Sequence, residues 1–432
     1  MKILYLCPDL GIPVLGRKGA SVHVRELIAA FARAGHRVTL AAQTLIKSPT
    51  DERAGVRARV IQVQPDPAVT GVVQLLKEFN ERLGVENSLP GELRRILYNK
   101  PLARELKRWF MRNRPAFIYE RASLYATAGV RLAEKFRVPH IVELNAPLAV
   151  EQSAYRATGF GELAAQAERW TLMHADGVIV VSEELRKHVC SLGVNPRKIQ
   201  VMPNGVDPEL FCPQVGSAHR SGRAAPALRH RRAKGVTRPT LGFVGGLRPW
   251  HGVEILPALL ARLRRSRRDI QLVIAGDGQL RGELERAFRQ RGLRKNVVFT
   301  GALLHEEMPD VIRGFDIALA PYPRPDHDFY FSPLKLFEYM ACGVAVVASD
   351  VGQISEVVRA GKTGLLYPPG NFEALVACCQ RLLANPELRA ELGKAAARDV
   401  RQKFTWDHNA ARVIKVARRL KARAGGRQGV RP

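Results

Sequence analysis

The chain has 432 residues, 46% of them hydrophobic and 25% charged, with a formal net charge of +28. That length and apolar content favour two cores over one, and no run approaches the roughly 18 uninterrupted apolar residues of a membrane span. The basic surplus is mostly Arg and widely spread, with one dense patch at Arg229-His230-Arg231-Arg232 and no recognisable nucleic-acid module beside it. An ordinary solvated surface is therefore favoured over an anionic membrane surface, and both over specific nucleic-acid binding.

Ile3–Cys7 reads as a first strand and meets Pro8-Asp9 too early for a signal-peptide core. Further strand patterns follow at Val38–Ala42, Phe117–Tyr119, His140–Leu144, Gly177–Val181 and Ile199–Met202, with helical periods at Ser21–Arg33, Ala126–Phe136 and Glu183–Leu192. Within 71–100, Leu75-Leu76-Lys77-Glu78-Phe79 and Leu93-Arg94-Arg95-Ile96-Leu97-Tyr98 are amphipathic and basic; helices packed on the sheet are favoured over contact with an anionic lipid surface. Pro213 to Pro239 lacks apolar periodicity and reads as a linker. The alternation restarts at Thr240–Gly245, Ile270–Ala275, Val297–Thr300, Ile317–Pro321 and Val344–Ser349, and the last helical period is Asp407–Arg423. Alternating strands and helices predict an α/β protein with parallel sheets. The expected organisation is a Rossmann-like domain over 1–212, a linker over 213–239, a second Rossmann-like domain over 240–405 and a helix over 406–424 packing back towards the first domain. A disordered tail is expected over 425–432. The six cysteines (Cys7, Cys190, Cys212, Cys342, Cys378, Cys379) lack metal-like spacing and suit reduced thiols in a cytoplasmic protein.

Phe331-Ser332-Pro333-Leu334-Lys335-Leu336-Phe337-Glu338 carries the strongest chemical signal. Ser332 reads as an N-cap and Pro333 as the first helical residue, giving a helix start that can hold phosphate. Glu338 lies on an otherwise apolar face, so it either accepts the hydroxyls of a ribose or pairs with a neighbouring Arg. Gly245-Gly246-Leu247-Arg248-Pro249-Trp250-His251-Gly252 ends a strand in a glycine turn, with Arg248 and His251 read as cations that neutralise a phosphate. The Gly19-Ala20-Ser21-Val22-His23-Val24 turn and Gly276-Asp277-Gly278 also follow strands. Asp326-His327-Asp328 could be read as a metal site, but ordinary loop chemistry is favoured, and no obligatory metal is expected. Glu143, Asn145 and Glu151 are the acid/base candidates in the first half, with Glu143–Arg121 pairing as the structural alternative.

The order and spacing of these segments, with Lys18-Gly19-Ala20-Ser21-Val22-His23, Val181-Ser182-Glu183, Met202-Pro203-Asn204-Gly205-Val206-Asp207, Gly301, Gly364–Gly370 and Trp406, resemble a family-4 glycosyltransferase of the GT-B fold. The resemblance implies two Rossmann-like domains facing a cleft and a nucleotide-sugar donor, a UDP- or GDP-sugar, held mainly by the second domain. It also implies retention at the anomeric carbon without a metal or other cofactor, and a glycan, lipid-linked or small-molecule acceptor. By that likeness Glu338 binds the ribose, and Ser332, Pro333 and Leu334 face the sugar and phosphates. Gly245, Gly246, Arg248 and His251 address the diphosphate, Gly278 lies beside them, Leu303 meets the base and Gly19 approaches from the first domain. The chain departs from the family pattern at Tyr330, where a second glutamate is usual, at Gly246 and His251, where Arg and Lys are usual, and at Asn145 in place of a His. Lys335 is then a candidate replacement cation. A nucleotide-sugar epimerase and an inactive donor-binding partner are the alternatives.

Overall fold

The computed structural model describes residues 1–46, 55–155, 159–213, 238–324 and 329–426. The Arg229–Arg232 patch, most of the expected linker and Asp326-His327-Asp328 lie outside the described residues.

Two compact units result: Met1–Pro203 with the C-terminal segment from Trp406, and Asn204–Thr405. The first contains β1 (Lys2–Cys7), α1 (Gly19–Arg33), β2 (Arg37–Ala42), β3 (Arg59–Gln62), α2 (Pro67–Leu83), α3 (Leu89–Phe110) and β4 (Phe117–Arg121). It continues with α4 (Ala128–Phe136), β5 (His140–Leu144), α5 (Leu148–Tyr155), α6 (Gly161–His174), β6 (Gly177–Val180), α7 (Glu183–Ser191) and β7 (Ile199–Val201). Its strands pair in parallel in the order β3-β2-β1-β4-β5-β6-β7. Ile3 through Cys7 are at most 1% exposed, which explains why β1 is a continuous apolar run: both faces of a parallel sheet are covered. Tyr98, Leu102, Leu106 and Phe110 of α3 join Leu4, Leu6 and Ile118 of the sheet in one cluster.

The second unit contains β8 (Thr240–Val244), α8 (Leu256–Leu263), β9 (Gln271–Ala275), α9 (Arg281–Gln290), β10 (Val297–Gly301), α10 (Met308–Ile312), β11 (Ile317–Ala320) and α11 (Leu334–Ala341). It is completed by β12 (Ala345–Ser349), α12 (Gln353–Val357), β13 (Leu365–Tyr367), α13 (Phe372–Ala384) and α14 (Pro386–Lys403). The sheet order is β10-β9-β8-β11-β12-β13, again all parallel. Both sheets therefore reverse strand order beside their first strand, the topology of a doubly wound dinucleotide-type fold.

The unit boundary differs from the expectation. Residues 204–212, expected in the first domain, pack in the second unit: Phe211 is buried in its core, and Val206 bridges Thr405. The final helix, α15 (Trp406–Gly426), packs on α1 in the first unit and runs through 425 and 426, which had been expected in the tail. Residues 427–432 lie outside the described set. Among the described residues no helix is long and apolar enough to cross a membrane.

Candidate functional site

In the second unit the strand order reverses between β8 and β11, and ligands of such sheets bind beyond the strand C-termini at that point. Gly245 directly follows β8 with φ +136°, a conformation that side-chain-bearing residues avoid. A Cβ on Gly245 would lie 2.8 Å from the Nζ of Lys335 and 3.1 Å from its Cε. Lys335 reaches this position from the first turn of α11. Its Nζ stands 4.2 Å from the ring centroid of Phe243 on β8 and 5.3 Å from that of Tyr322 just past β11, so it lies over the strand reversal itself. The residue is only 8% exposed, and Nζ has no hydrogen-bond partner among the described residues. Burial pushes its pKa down to about 7, with Glu338 pulling weakly the other way.

His251 closes a short 3-10 turn, Pro249–His251, after β8. Its Nδ1 lies 2.5 Å from the carbonyl oxygen of Gly246; a carbonyl can only accept, so Nδ1 carries the proton and Nε2 is left as an acceptor. Burial, then the nearby Lys335 and Arg248 charges, push the imidazole down to about 3 against the opposing pull of the Gly246 carbonyl. His251 is therefore a neutral group here, not the cation expected from sequence. Arg248 is exposed; its Nη1 donates to Gln279 Oε1 at 2.5 Å and its guanidinium lies 5.7 Å from the Trp250 ring. The buried amine of the crevice is Lys335. Gly278 serves the scaffold, since a Cβ there would come within 2.6–2.7 Å of the Leu247 backbone.

The expected helix cap is also revised. Helix α11 starts at Leu334 with Pro333 in the N-cap position and no side-chain cap. Ser332 instead spends its hydroxyl elsewhere: Oγ accepts from the Asn204 backbone N–H at 2.9 Å, and the Ser332 carbonyl accepts from Asn204 Nδ2 at 2.6 Å. The helix start is left without a side-chain acceptor, so its N–H groups remain available to an external anion. Glu338, one turn further on, is 7% exposed and accepts from His305 Nε2 at 3.0 Å rather than from an Arg. His305 follows β10, two residues beyond the half-buried Leu303, and packs at a tilt against Phe211 with ring centroids 5.0 Å apart. Sequence reasoning named the Leu303 loop but missed His305. Tyr330, at the position where the family usually carries a second glutamate, is 6% exposed and packs 4.4 Å from Phe331.

The first-unit candidates separate from one another. Glu143 is fully buried; His23 Nε2 approaches its Oε1 to 2.8 Å, off the line of a good hydrogen bond. Burial alone would raise this carboxyl, but His23, Arg121 and Tyr119 together hold it below its ordinary value. Trp406 covers His23 edge-on at 4.9 Å. A carboxylate enclosed in this way locks α1 to β5, and the acid/base role expected for Glu143 is withdrawn. Asn145 is half-buried in the loop after β5, and Gly19 is exposed at the start of α1. Glu151 lies in the first turn of α5. Glu168 on α6 caps that helix, accepting from Leu148 and Ala149 N–H at 2.9 and 3.3 Å; burial nevertheless lifts its carboxyl to about 7.

A doubly wound sheet with a glycine-lined, cation-bearing crevice at its reversal defines a nucleotide-binding α/β unit. Comparison with known families carries this further: the model for glycosyl transferases group 1 matches residues 238–385, and that for glycosyltransferase family 4 matches 17–210. The chain belongs to the group 1 glycosyltransferases and has their GT-B fold, two parallel α/β units. It is 26% identical to a glycogen synthase of Mycobacterium tuberculosis over 99% of this chain and 96% of that protein. It is 29% identical to an uncharacterized glycosyltransferase of Methanocaldococcus jannaschii over 55% of this chain, a match spanning 59% of that relative. Among solved structures, sucrose-phosphate synthase from Thermosynechococcus elongatus superposes with a TM-score of 0.72 at 21% identity, covering 98% and 99% of the two chains. Anabaena HepE in complex with UDP gives 0.65 at 20% identity, covering 96% and 99%.

Proposed function

We propose that this chain transfers a sugar from a nucleoside-diphosphate sugar to a hydroxyl of a glycan, lipid-linked or small-molecule acceptor, with retention of configuration and without a metal. The observation that carries this reading is the crevice beyond β8 and β11, where the unpartnered Lys335 ammonium, the bare backbone at Gly245 and Gly246 and the open start of α11 converge. These groups supply positive charge to a diphosphate, the task a metal performs elsewhere. Glu338, steadied by His305, takes the ribose hydroxyls. As the bond from the anomeric carbon to the phosphate oxygen breaks, the acceptor oxygen bonds to that carbon from the same face and its proton passes to the departing phosphate. The neutral His251 offers Nε2 as an acceptor to a sugar hydroxyl, and Arg248 is free to swing from Gln279 towards the phosphates. HepE, described with UDP, makes UDP the first nucleotide to try. The epimerase alternative loses its main support with the burial of Glu143.

Calorimetric titration of UDP, GDP and ADP tests this reading. One nucleotide should bind selectively to the wild type, with the heat lost in Glu338→Ala. Equal binding by both proteins would remove Glu338 from the site, and binding without sugar transfer or slow donor hydrolysis would favour the inactive-partner alternative.

A second contact is favoured by α2. Val72, Leu75, Phe79 and Leu83 form one stripe on this helix and are 52%, 67%, 59% and 59% exposed, while only Val73 is buried. The helix leaves its apolar face outward rather than on the sheet, which supports peripheral attachment of this basic protein to an anionic membrane.

A further inference from the structure

The surroundings of Lys335 are unusual. An amine that is more than nine-tenths buried, has no hydrogen-bond acceptor among the described residues and stands in the first turn of a helix faces three unfavourable terms at once. These are desolvation, unmet donors and the positive end of the helix dipole. The two aromatic faces of Phe243 and Tyr322 offset only part of this. The other ionisable groups around the amine are Glu338 and Tyr339 on its own helix, His251 and Arg248 on the loop after β8, and Tyr322 after β11. Of these only Glu338 favours the ammonium; His251 is neutral and burial keeps both tyrosines protonated. The cradle is thus built for a cation whose counter-charge arrives with the ligand.

We infer that Lys335 is a proton-coupled latch for the donor, taking up a proton from solvent as the diphosphate enters the crevice and releasing it as the nucleoside diphosphate leaves. The inference rests on the donor-site reading above and adds a linkage that reading does not require. The balance is simple: one proton moves from buffer to the Lys335 nitrogen on binding and returns on release, with no bond broken in the ligand. The free amine titrates near 7, and a bound dianion raises that value, so at pH 8 roughly nine-tenths of a proton is taken up and at pH 6.5 about a quarter. The sign follows: nucleotide affinity falls as pH rises above 7, approaching tenfold per pH unit until the pKa of the complex is reached.

The test is calorimetry of UDP, or of GDP where that binds more tightly, in buffers of differing ionisation enthalpy at pH 6.5 and 8, on wild type, Lys335→Arg and Lys335→Met. The wild type should take up close to one proton at pH 8, whereas Lys335→Arg, a cation that does not titrate, and Lys335→Met should bind with no uptake at pH 8, their remaining pH dependence being that of the nucleotide's own terminal phosphate, which titrates near about 6. Wild-type binding with less than about 0.2 proton taken up at pH 8, or equal uptake in either variant, overturns the coupling and leaves the donor site standing. A wild type that binds no nucleotide overturns the donor site and this inference with it.

Discussion

Gly245→Ala is the sharpest perturbation of the crevice, because two independent costs are legible at that position. The backbone sits at φ +136°, a region nearly closed to alanine, so strain of about 1–3 kcal/mol is expected. The new Cβ would also fall 2.8 Å from Lys335 Nζ, and the amine must move by roughly half an ångström or more out of the space between Phe243 and Tyr322. Loss of its charge-assisted contact to phosphate should weaken nucleotide binding by about 1.5–3 kcal/mol, or ~10- to 150-fold. For a unit of this size each kcal/mol shifts Tm by about 2–4 °C, so the melting temperature should fall by about 2–12 °C. Gly246→Ala is the matched control: its Cβ would meet nothing closer than Arg248 Cγ at 3.7 Å, and stability should hold within about 0.5 kcal/mol. Differential scanning fluorimetry and UDP calorimetry on the two variants read both quantities. If Gly245→Ala melts and binds like the wild type, or if the two alanines melt alike, the geometry assigned to the crevice is wrong.

Three further outcomes follow from other parts of the molecule. His23→Ala leaves the buried Glu143 carboxylate without its nearest side-chain partner and should cost about 3–5 kcal/mol by urea unfolding, with UDP affinity unchanged in the protein that remains folded; a loss below 1 kcal/mol would deny the pair its structural role. Glu168, lifted to about 7 by burial, binds protons more tightly folded than unfolded, so its contribution to stability is present below about pH 4.5 and is lost as pH rises through 7. Glu168→Gln should flatten that decline, by on the order of 2–3 kcal/mol across the window, and an unchanged pH profile would refute the assignment. Double substitution Leu75→Asp/Phe79→Asp on α2 should abolish sedimentation with anionic liposomes at low salt, and raised salt should release the wild type; equal recovery on neutral liposomes would defeat membrane attachment.

The alternation of strands and helices was readable because buried parallel strands are continuous apolar runs. The expected strands in both units coincide with the observed ones to within two residues. The two that sequence reasoning passed over, Arg59–Gln62 and Leu365–Tyr367, are edge strands of four and three residues, too short or too exposed to leave a period. At the site, residue type and loop position brought Gly245, Gly246, His251, Lys335 and Glu338 forward, and the fold gathers them around the β8–β11 reversal. Charge states and partners were not readable. Ser332 looks like a cap until Asn204, 128 residues away in sequence, takes its hydroxyl. His251 looks like a cation until burial beside Lys335 keeps it neutral. Arg121 looks like the partner of Glu143 until α1 delivers His23. Each depends on a tertiary neighbour that competes for the same atom, and local pattern carries no record of it.

The measurement that bears most directly on the donor site is a crystal structure of the protein with UDP bound. A β-phosphate oxygen within about 3 Å of Lys335 Nζ and a ribose hydroxyl on Glu338 are the result expected. UDP lying outside the β8–β11 crevice, or seated there with Lys335 still unpartnered, would contradict the account.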